Sequence, residues 1–262
     1  MPEGHTIHRL ARDQRVDLVG RPVRASSPQG RFVEGAGRLD GATSQRVEAW
    51  GKHLFHTFAT GDVLHVHLGL IGKFRWRPSP PPAPVGAVRL RLEGQARTWD
   101  LSGPIICAVV TPDDVDATIA RLGPDPLRRD ADPQRFVDRV RRSRKAIGGL
   151  LLDQDVIAGI GNVYRAEVLW ALGIDPSRPG RDLSTEELLA MWGWLRQQLS
   201  LGVRRNRIVT VDPKALGTTV SRIRRQDAVA VYHRLDCGRC GGPVRRLVVA
   251  GRRIDACPAC QT

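Results

Sequence analysis

"VIAGIGNVYRAEVLW", residues 156–170, decides how the second half of this chain folds. Gly159 and Gly161 flank Ile160, and Asn162 stands as an N-cap for a helix running on from Val163. Apolar residues recur at helical spacing on both sides: Phe136, Val137 and Val140, then Ile147, Leu150 and Leu151 before the glycines, and Val168, Leu169 and Leu172 after them. The longest helix is predicted over Thr185–Leu201, where Ser184 and Glu187 form a capping-box pair. A glycine turn between helices serves two purposes equally well. It allows close packing in a generic helix–turn–helix, and it can also present backbone amides and an asparagine to a phosphate.

Outward from that stretch the period changes. Upstream, "RLGPDPL" (121–127), with two prolines and a glycine, reads as a linker. Before it, Leu64, Val66 and Leu68 alternate with His65 and His67, and Val88, Leu90 and Leu92 alternate with Arg89, Arg91 and Glu93. "IICAVV" (105–110) suits a buried strand, which makes Cys107 a core thiol, and the proline-rich 77–86 suits an exposed loop. Residues 20–110 are therefore predicted as an all-β core, most simply a sandwich, preceded by a helix over about Thr6–Leu18. Downstream, residues 203–225 carry seven Arg/Lys against one Asp and few large apolar residues, and read as a long loop.

Four of the five cysteines close the chain as Cys237-x2-Cys240 and Cys257-x2-Cys260. Paired thiolates at this spacing suit a tetrahedral zinc ion, and the alternation of Val244, Leu247 and Val249 with Gly251 at the reversal suits a β-hairpin between the turns. A disulfide or redox pair fits poorly with a cytoplasmic chain and a tail that has little core of its own. A zinc ribbon names a platform and not a reaction. Arg252, at the tip or return strand, is either solvated or reaches a phosphate.

The charge is lopsided. Of the 41 basic and 27 acidic residues, 16 and 13 fall within 1–127, and 25 and 14 within 128–262. A basic half beside a nearly neutral one points to a polyanion, with nucleic acid ahead of membrane. No apolar run is long enough to span a bilayer and no export signal opens the chain, so a cytoplasmic, nucleoid-associated location is expected. Only four lysines stand against 37 arginines, which makes Lys52 in "WGKHLF" a conspicuous choice.

The chain opens "MPEGHT". Pro2-Glu3 at the start, "LGPDPL" at the junction, "GIGNVYRAE" in mid-chain and the four-cysteine ending stand in an order that resembles the formamidopyrimidine-DNA glycosylase/endonuclease VIII family over essentially the whole chain. The opening is closer to the endonuclease VIII branch. The resemblance implies a multidomain α and β fold: an N-terminal helix plus β-sandwich (1–121), a helix–two-turn–helix domain (122–231) and a β-hairpin zinc ribbon (232–262), with DNA in a basic cleft between the halves. It implies a bifunctional glycosylase and abasic-site lyase of base-excision repair acting on oxidised pyrimidines in damaged double-stranded DNA, as a monomer. Zinc is structural, and no redox or nucleotide cofactor is used.

On this reading Pro2, exposed by loss of Met1, is a secondary amine whose attack on the sugar C1′ gives a permanently cationic iminium. Glu3 handles protons. Lys52, on a sandwich strand, contacts the phosphate beside the lesion and assists proton transfer. Asn162 and Arg252 grip phosphates, and Leu70, with Ile71, is the wedge left in the stack when the base is flipped. His5 and Thr6 depart from the branch's pattern, which removes an acid near the nucleophile. Two alternatives remain: the same chemistry on oxidised purines, and a non-catalytic zinc-ribbon DNA-binding protein.

Overall fold

In the computed structural model, which describes residues 2–262, the chain divides into two units, Met1–Arg121 and Leu122–Thr262. The removal of Met1 expected from the sequence concerns a residue outside those described.

The first unit begins with α1 (Gly4–Leu18), two residues ahead of the predicted start. Ile7, Ala11 and Leu18 lie on its inner stripe and enter the core of the unit. Next come β1 (Arg24–Ser26), α2 (Val33–Leu39), β2 (Ser44–Trp50), β3 (His53–Phe58), β4 (Val63–His67), β5 (Lys73–Pro78), β6 (Val88–Glu93), β7 (Arg97–Ser102), β8 (Ile106–Val110) and α3 (Pro112–Arg121). The strands form two antiparallel four-stranded sheets, β1-β6-β7-β5 and β2-β3-β4-β8. Val47, Leu54, Leu64 and Val66 of one sheet meet Leu90, Leu92, Trp99 and Leu101 of the other. This is the expected sandwich, since period-two alternation puts every second side chain on the inner face.

Three local details differ from the sequence reading. α2 interrupts the all-β stretch: its "VEGAGRL" is glycine-rich, and a Cβ at Gly35 would lie 2.2 Å from the Phe32 ring. β8 is half-buried along its length, and Ile105 before it is 67% exposed. "LGPDPL" is no slack linker, for residues 122–126 are all buried. There Gly123 sits so close to Asp155 and Val156 that a Cβ would come within 2.5 Å of backbone.

The second unit contains α4 (Pro133–Arg141), α5 (Ile147–Leu150), α6 (Asn162–Leu172), α7 (Thr185–Arg205) and a hairpin of β9 (Arg245–Val249) and β10 (Arg252–Ala256). Asp132 caps α4 by accepting Gln134 N–H at 2.8 Å, and Pro133 follows at a position that needs no amide hydrogen. The predicted capping box at Ser184 and Glu187 is present, and α7 runs on to Arg205. Phe136, Val140, Ile147, Leu150, Val168, Leu188 and Leu195 share one core, to which the hairpin adds Val249 and Ile254. Among the described residues no helix is long and apolar enough to cross a membrane.

Candidate active site and metal centre

In the first unit, Pro2 precedes a helix whose N-cap is Glu3. The Glu3 backbone is extended (φ −124°, ψ −178°), its carbonyl accepts Thr6 N–H at 2.8 Å, and its side chain is not used to cap the helix. That side chain is 1% exposed. The helix behind it is tied to both sheets. Arg15 Nη2 donates to the Val47 carbonyl on β2 at 2.8 Å, and Asp17 accepts Trp99 Nε1–H from β7 at 3.0 Å. A carboxylate placed by a rigid helix and screened from bulk water is suited to general acid–base chemistry. His5, two residues further on, is buried as well. Burial lowers it from 6.5 to about 4, so it is neutral at physiological pH.

Lys52 is not on a strand. It occupies the second position of a two-residue turn joining β2 to β3, where Trp50 pairs with His53. Gly51 takes φ +56° at the first position, a conformation that such primed turns ask of glycine. The turn lies against an array of imidazoles. His53 Nδ1 lies 2.8 Å from His65 Nε2, and the His53 and His67 rings meet edge to face at 4.8 Å. Burial, then the neighbouring imidazoles and the Arg121 and Lys52 charges, drive His53 down to about 3. Burial, then His67, lowers His65 to about 4; burial, then Lys52, lowers His67. His67 Nδ1 accepts Gly69 N–H at 3.0 Å and thereby fixes the start of the next loop.

That loop, residues 68–72 between β4 and β5, displays Leu70 (67% exposed) and Ile71 (80% exposed). Gly72 donates back to the Leu68 carbonyl at 3.0 Å, and a Cβ on Gly72 would strike that oxygen at 2.2 Å. Ile105, read from sequence as a buried strand residue, borders the same loop: a Cβ at Gly69 would meet its side chain at 2.6 Å. The first unit thus holds one buried carboxylate at the chain start, a lysine in a tight turn, and a small exposed aliphatic knob. Cys107 faces none of this chemistry. Burial pushes its thiol up to about 12, which leaves it unreactive.

In the second unit, Gly161 and not Asn162 is the N-cap of α6; Asn162 is the first helical residue. Arg165, one turn on, is wholly buried. Its guanidinium donates to Asn162 Oδ1 at 3.3 Å, the Gly148 carbonyl at 3.0 Å and the Arg253 carbonyl at 2.5 Å. One side chain therefore links the glycine turn, α5 and the hairpin strand that begins with Arg252. Arg252 is exposed and pairs with Val249 across a turn in which Ala250 and Gly251 both take positive φ. Gly148 and Gly149 admit the hairpin tip, since their Cβ positions fall 3.3 Å from Val249 and 2.7 Å from Ala250.

The four cysteine sulfurs lie within 4.8 Å of one another. Cys237 and Cys260 are 3.9 Å apart, and Cys240 and Cys257 are 3.6 Å apart. These spacings are too long for disulfides and close to the edge of about 3.8 Å that follows from metal–sulfur bonds of about 2.3 Å in a tetrahedron. Trp170 Nε1–H donates to Cys237 Sγ at 3.1 Å, and amides of Arg239 and Gly242 point at Cys237 and Cys240 at 3.4 Å. Such donors offset thiolate charge. Gln261 locks the last turn by accepting Cys257 N–H at 2.9 Å and donating to the Ile174 carbonyl at 3.0 Å. Arg165, Trp170 and Gln261 carry no spacing signal in the sequence; a charged residue inside a helix reads as solvent-facing until its burial is seen.

Comparison with known proteins places this geometry in a family. The formamidopyrimidine-DNA glycosylase N-terminal domain model matches residues 1–102, and the formamidopyrimidine-DNA glycosylase H2TH domain model matches residues 122–213. Endonuclease 8 1 of Mycobacterium tuberculosis is 46% identical over 100% of both chains. Formamidopyrimidine-DNA glycosylase of Thermus thermophilus is 33% identical over 100% of this chain and 97% of its own. A crystal structure of a mutant formamidopyrimidine-DNA glycosylase with a THF-containing DNA superposes with a TM-score of 0.82 at 25% identity, covering 99% of each chain. The Lactococcus lactis enzyme bound non-covalently to abasic-site DNA gives 0.80 at 24% identity, again over 99% of each.

Proposed function

Because this chain belongs to the formamidopyrimidine-DNA glycosylase/endonuclease VIII family of repair DNA glycosylases and abasic-site lyases, we propose that it excises oxidised pyrimidines through its N-terminal proline and then cleaves the strand. The observation that carries the proposal is Glu3: a buried carboxylate beside Pro2, on a helix bound to both sheets of the sandwich.

The chemistry follows from the amine. Freed of Met1, Pro2 attacks C1′, the C1′–base bond breaks, and the damaged base departs with a proton. A secondary amine has one proton to lose on bond formation, so ring opening of the sugar leaves an iminium cation. Glu3, in its acid form, protonates the sugar ring oxygen in that step, and the carboxylate left behind accepts a proton later. The cation draws electrons from C2′, whose proton is lost as the 3′ phosphate leaves; a second elimination releases the 5′ phosphate. Hydrolysis then frees Pro2.

Lys52 serves the phosphate beside the lesion from its turn. The neutral imidazoles behind it add no competing positive charge to that phosphate's surroundings. Leu70, with Ile71 and Ile105, is an apolar wedge suited to occupy the stack after base extrusion, whose unstacking costs a few kcal/mol. Asn162 and Arg252 grip phosphates, with Arg165 holding both segments. Cys237, Cys240, Cys257 and Cys260 hold a structural Zn2+, which supplies fold and no step of the reaction. The protein works as a monomer on duplex DNA of the nucleoid, in three functional segments, 1–121, 122–231 and 232–262.

The pyrimidine preference draws on the Pro-Glu-Gly opening and on the 46% identity to an endonuclease 8, against 33% to a formamidopyrimidine-DNA glycosylase. Single-turnover excision on matched duplexes tests it. Faster release of an oxidised pyrimidine, with both sugar-side phosphates eliminated, is expected. Faster release of an oxidised purine would transfer the same mechanism to purine lesions.

A further inference from the structure

The stretch between α7 and β9 holds no helix longer than three residues, yet it is not slack. Val209, Ile223 and Ala228 form a small buried cluster of their own, with Val211 and Val220 against it. The Thr210 amide donates to the Ala228 carbonyl at 2.9 Å, so the two limbs of the stretch meet. Behind the junction stands Glu167 of α6, 0% exposed. Its Oε2 accepts Thr210 Oγ1–H at 2.5 Å and Ala230 N–H at 2.8 Å. Its Oε1 accepts Val231 N–H at 2.9 Å and Tyr232 N–H at 2.8 Å.

One carboxylate thus takes four donors, two limbs at once. Burying a charged acceptor is unfavourable unless it is fully hydrogen-bonded, and this one is. A glutamine would turn an NH2 toward groups that themselves donate, so the arrangement asks for a carboxylate specifically. The loop so closed displays Lys214, Arg222, Arg224 and Arg225 to solvent. Arg222 and Arg225 fall in two successive three-residue 3-10 turns, Val220–Arg222 and Arg225–Asp227. Asp227 is already engaged by Arg224 at 2.8 Å and Arg234 at 3.1 Å. The loop surface therefore keeps a cationic excess on an ordered backbone.

We infer that Glu167 is a positioning residue that closes residues 210–230 into a preformed cationic loop, and that Arg222 and Arg225 on it grip the sugar–phosphate backbone of duplex DNA whatever base it carries. A loop ordered in advance does not lose that conformational entropy on binding. The inference rests on the DNA-acting reading above but not on its chemistry.

The test measures binding of an undamaged duplex against salt, together with limited trypsin digestion. Three variants are compared with the intact protein: Glu167→Gln, Thr210→Val, and the surface double variant Arg222→Ala/Arg225→Ala. The intact loop resists cleavage at Lys214–Arg225, and Glu167→Gln is cut there roughly tenfold faster, from loss of a buried charged hydrogen-bond set. The double arginine variant keeps the intact digestion pattern outside its deleted sites. Its slope of log K against log[salt] is shallower by about two, one unit per phosphate contact. Glu167→Gln shifts the slope in the same direction, and adds little to the double variant. If Glu167→Gln does not fold, Thr210→Val, which removes one bond of four, gives an intermediate cleavage rate.

Wild-type cleavage in both clamp variants would overturn the clamp. An unchanged salt slope in the double variant would overturn the surface. Failure of the intact protein to bind duplex at all would count against the DNA-acting reading itself, and is thereby told apart from either.

Discussion

The start of the chain and its end are held in place by different physics. Helix α1 is packed by Ile7, Ala11 and Leu18 and bonded to both sheets through Arg15 and Asp17, so its position follows from ordinary burial. Of its apolar side chains the β9–β10 hairpin buries only Val249, Ile254 and Ala256, and beyond its hydrogen bonds it is flanked by the four clustered cysteines. Fully buried aliphatic side chains contribute about 1.5–3 kcal/mol each. Structural zinc contributes on the order of 10 kcal/mol in isolated finger peptides. The lesson is that the end proposed to react stands on a self-sufficient fold, whereas the hairpin proposed to grip phosphate would depend on the metal held by its four cysteines.

Metal removal breaks that contrast most severely. Chelation, or Cys257→Ala, is expected to abolish hairpin order and duplex affinity while leaving the first unit folded. Amide hydrogen exchange read along the chain checks it; equal loss of protection in β2–β4 and β9–β10 would put the two ends on the same footing. Glu3→Gln, which keeps shape and burial, is expected to lower base excision by about 10²–10⁴-fold with duplex affinity retained. Single-turnover rates and binding isotherms on the same preparation separate the two.

Acid acts next, and on the first unit. His5, His53, His56, His65 and His67 all have folded values pressed below 6.5, chiefly by burial. Above about pH 6.5 both folded and unfolded forms are neutral at these sites and stability is full. As pH falls from 6.5 toward 4 the unfolded chain takes up protons that the folded chain refuses, so stability falls with pH. Chemical denaturation of the intact protein across that window, with exchange reporting from β3 and β4, measures it. His67→Gln, which removes one imidazole, should flatten the slope. The smallest effect is Arg252→Ala, expected to weaken duplex binding evenly across sequences and lower the salt slope by about one.

Much of this was readable beforehand, for identifiable reasons. Alternation at Leu64–Leu68 and Val88–Leu92 specified inner faces, helical spacing at Phe136, Val137 and Val140 specified α4, and Ser184 with Glu187 specified the start of α7. The cysteine spacing located the sulfur cluster because paired thiolates on tight turns leave few alternatives. What escaped was set by tertiary contact. Arg165 and Glu167 are ionisable residues on a helix, which pattern assigns to solvent, yet both are 0% exposed and hold backbone groups far away in sequence. Lys52 lies in a turn and not on the strand that the resemblance implied, because Gly51, at positive φ, reverses the chain between Trp50 and His53. The loop after α7 looked structureless because Val209, Ile223 and Ala228 are too far apart in sequence to show a period.

The central claim is that the N-terminal nitrogen of Pro2 is the nucleophile. Borohydride trapping on an abasic-site duplex tests it most directly, comparing the protein beginning at Pro2 with one carrying an extra residue before it. The account predicts a covalent protein–DNA adduct from the first and none from the second, with both binding the duplex. An adduct of equal yield from the extended protein, or none from a metal-loaded protein with a free Pro2, would contradict it.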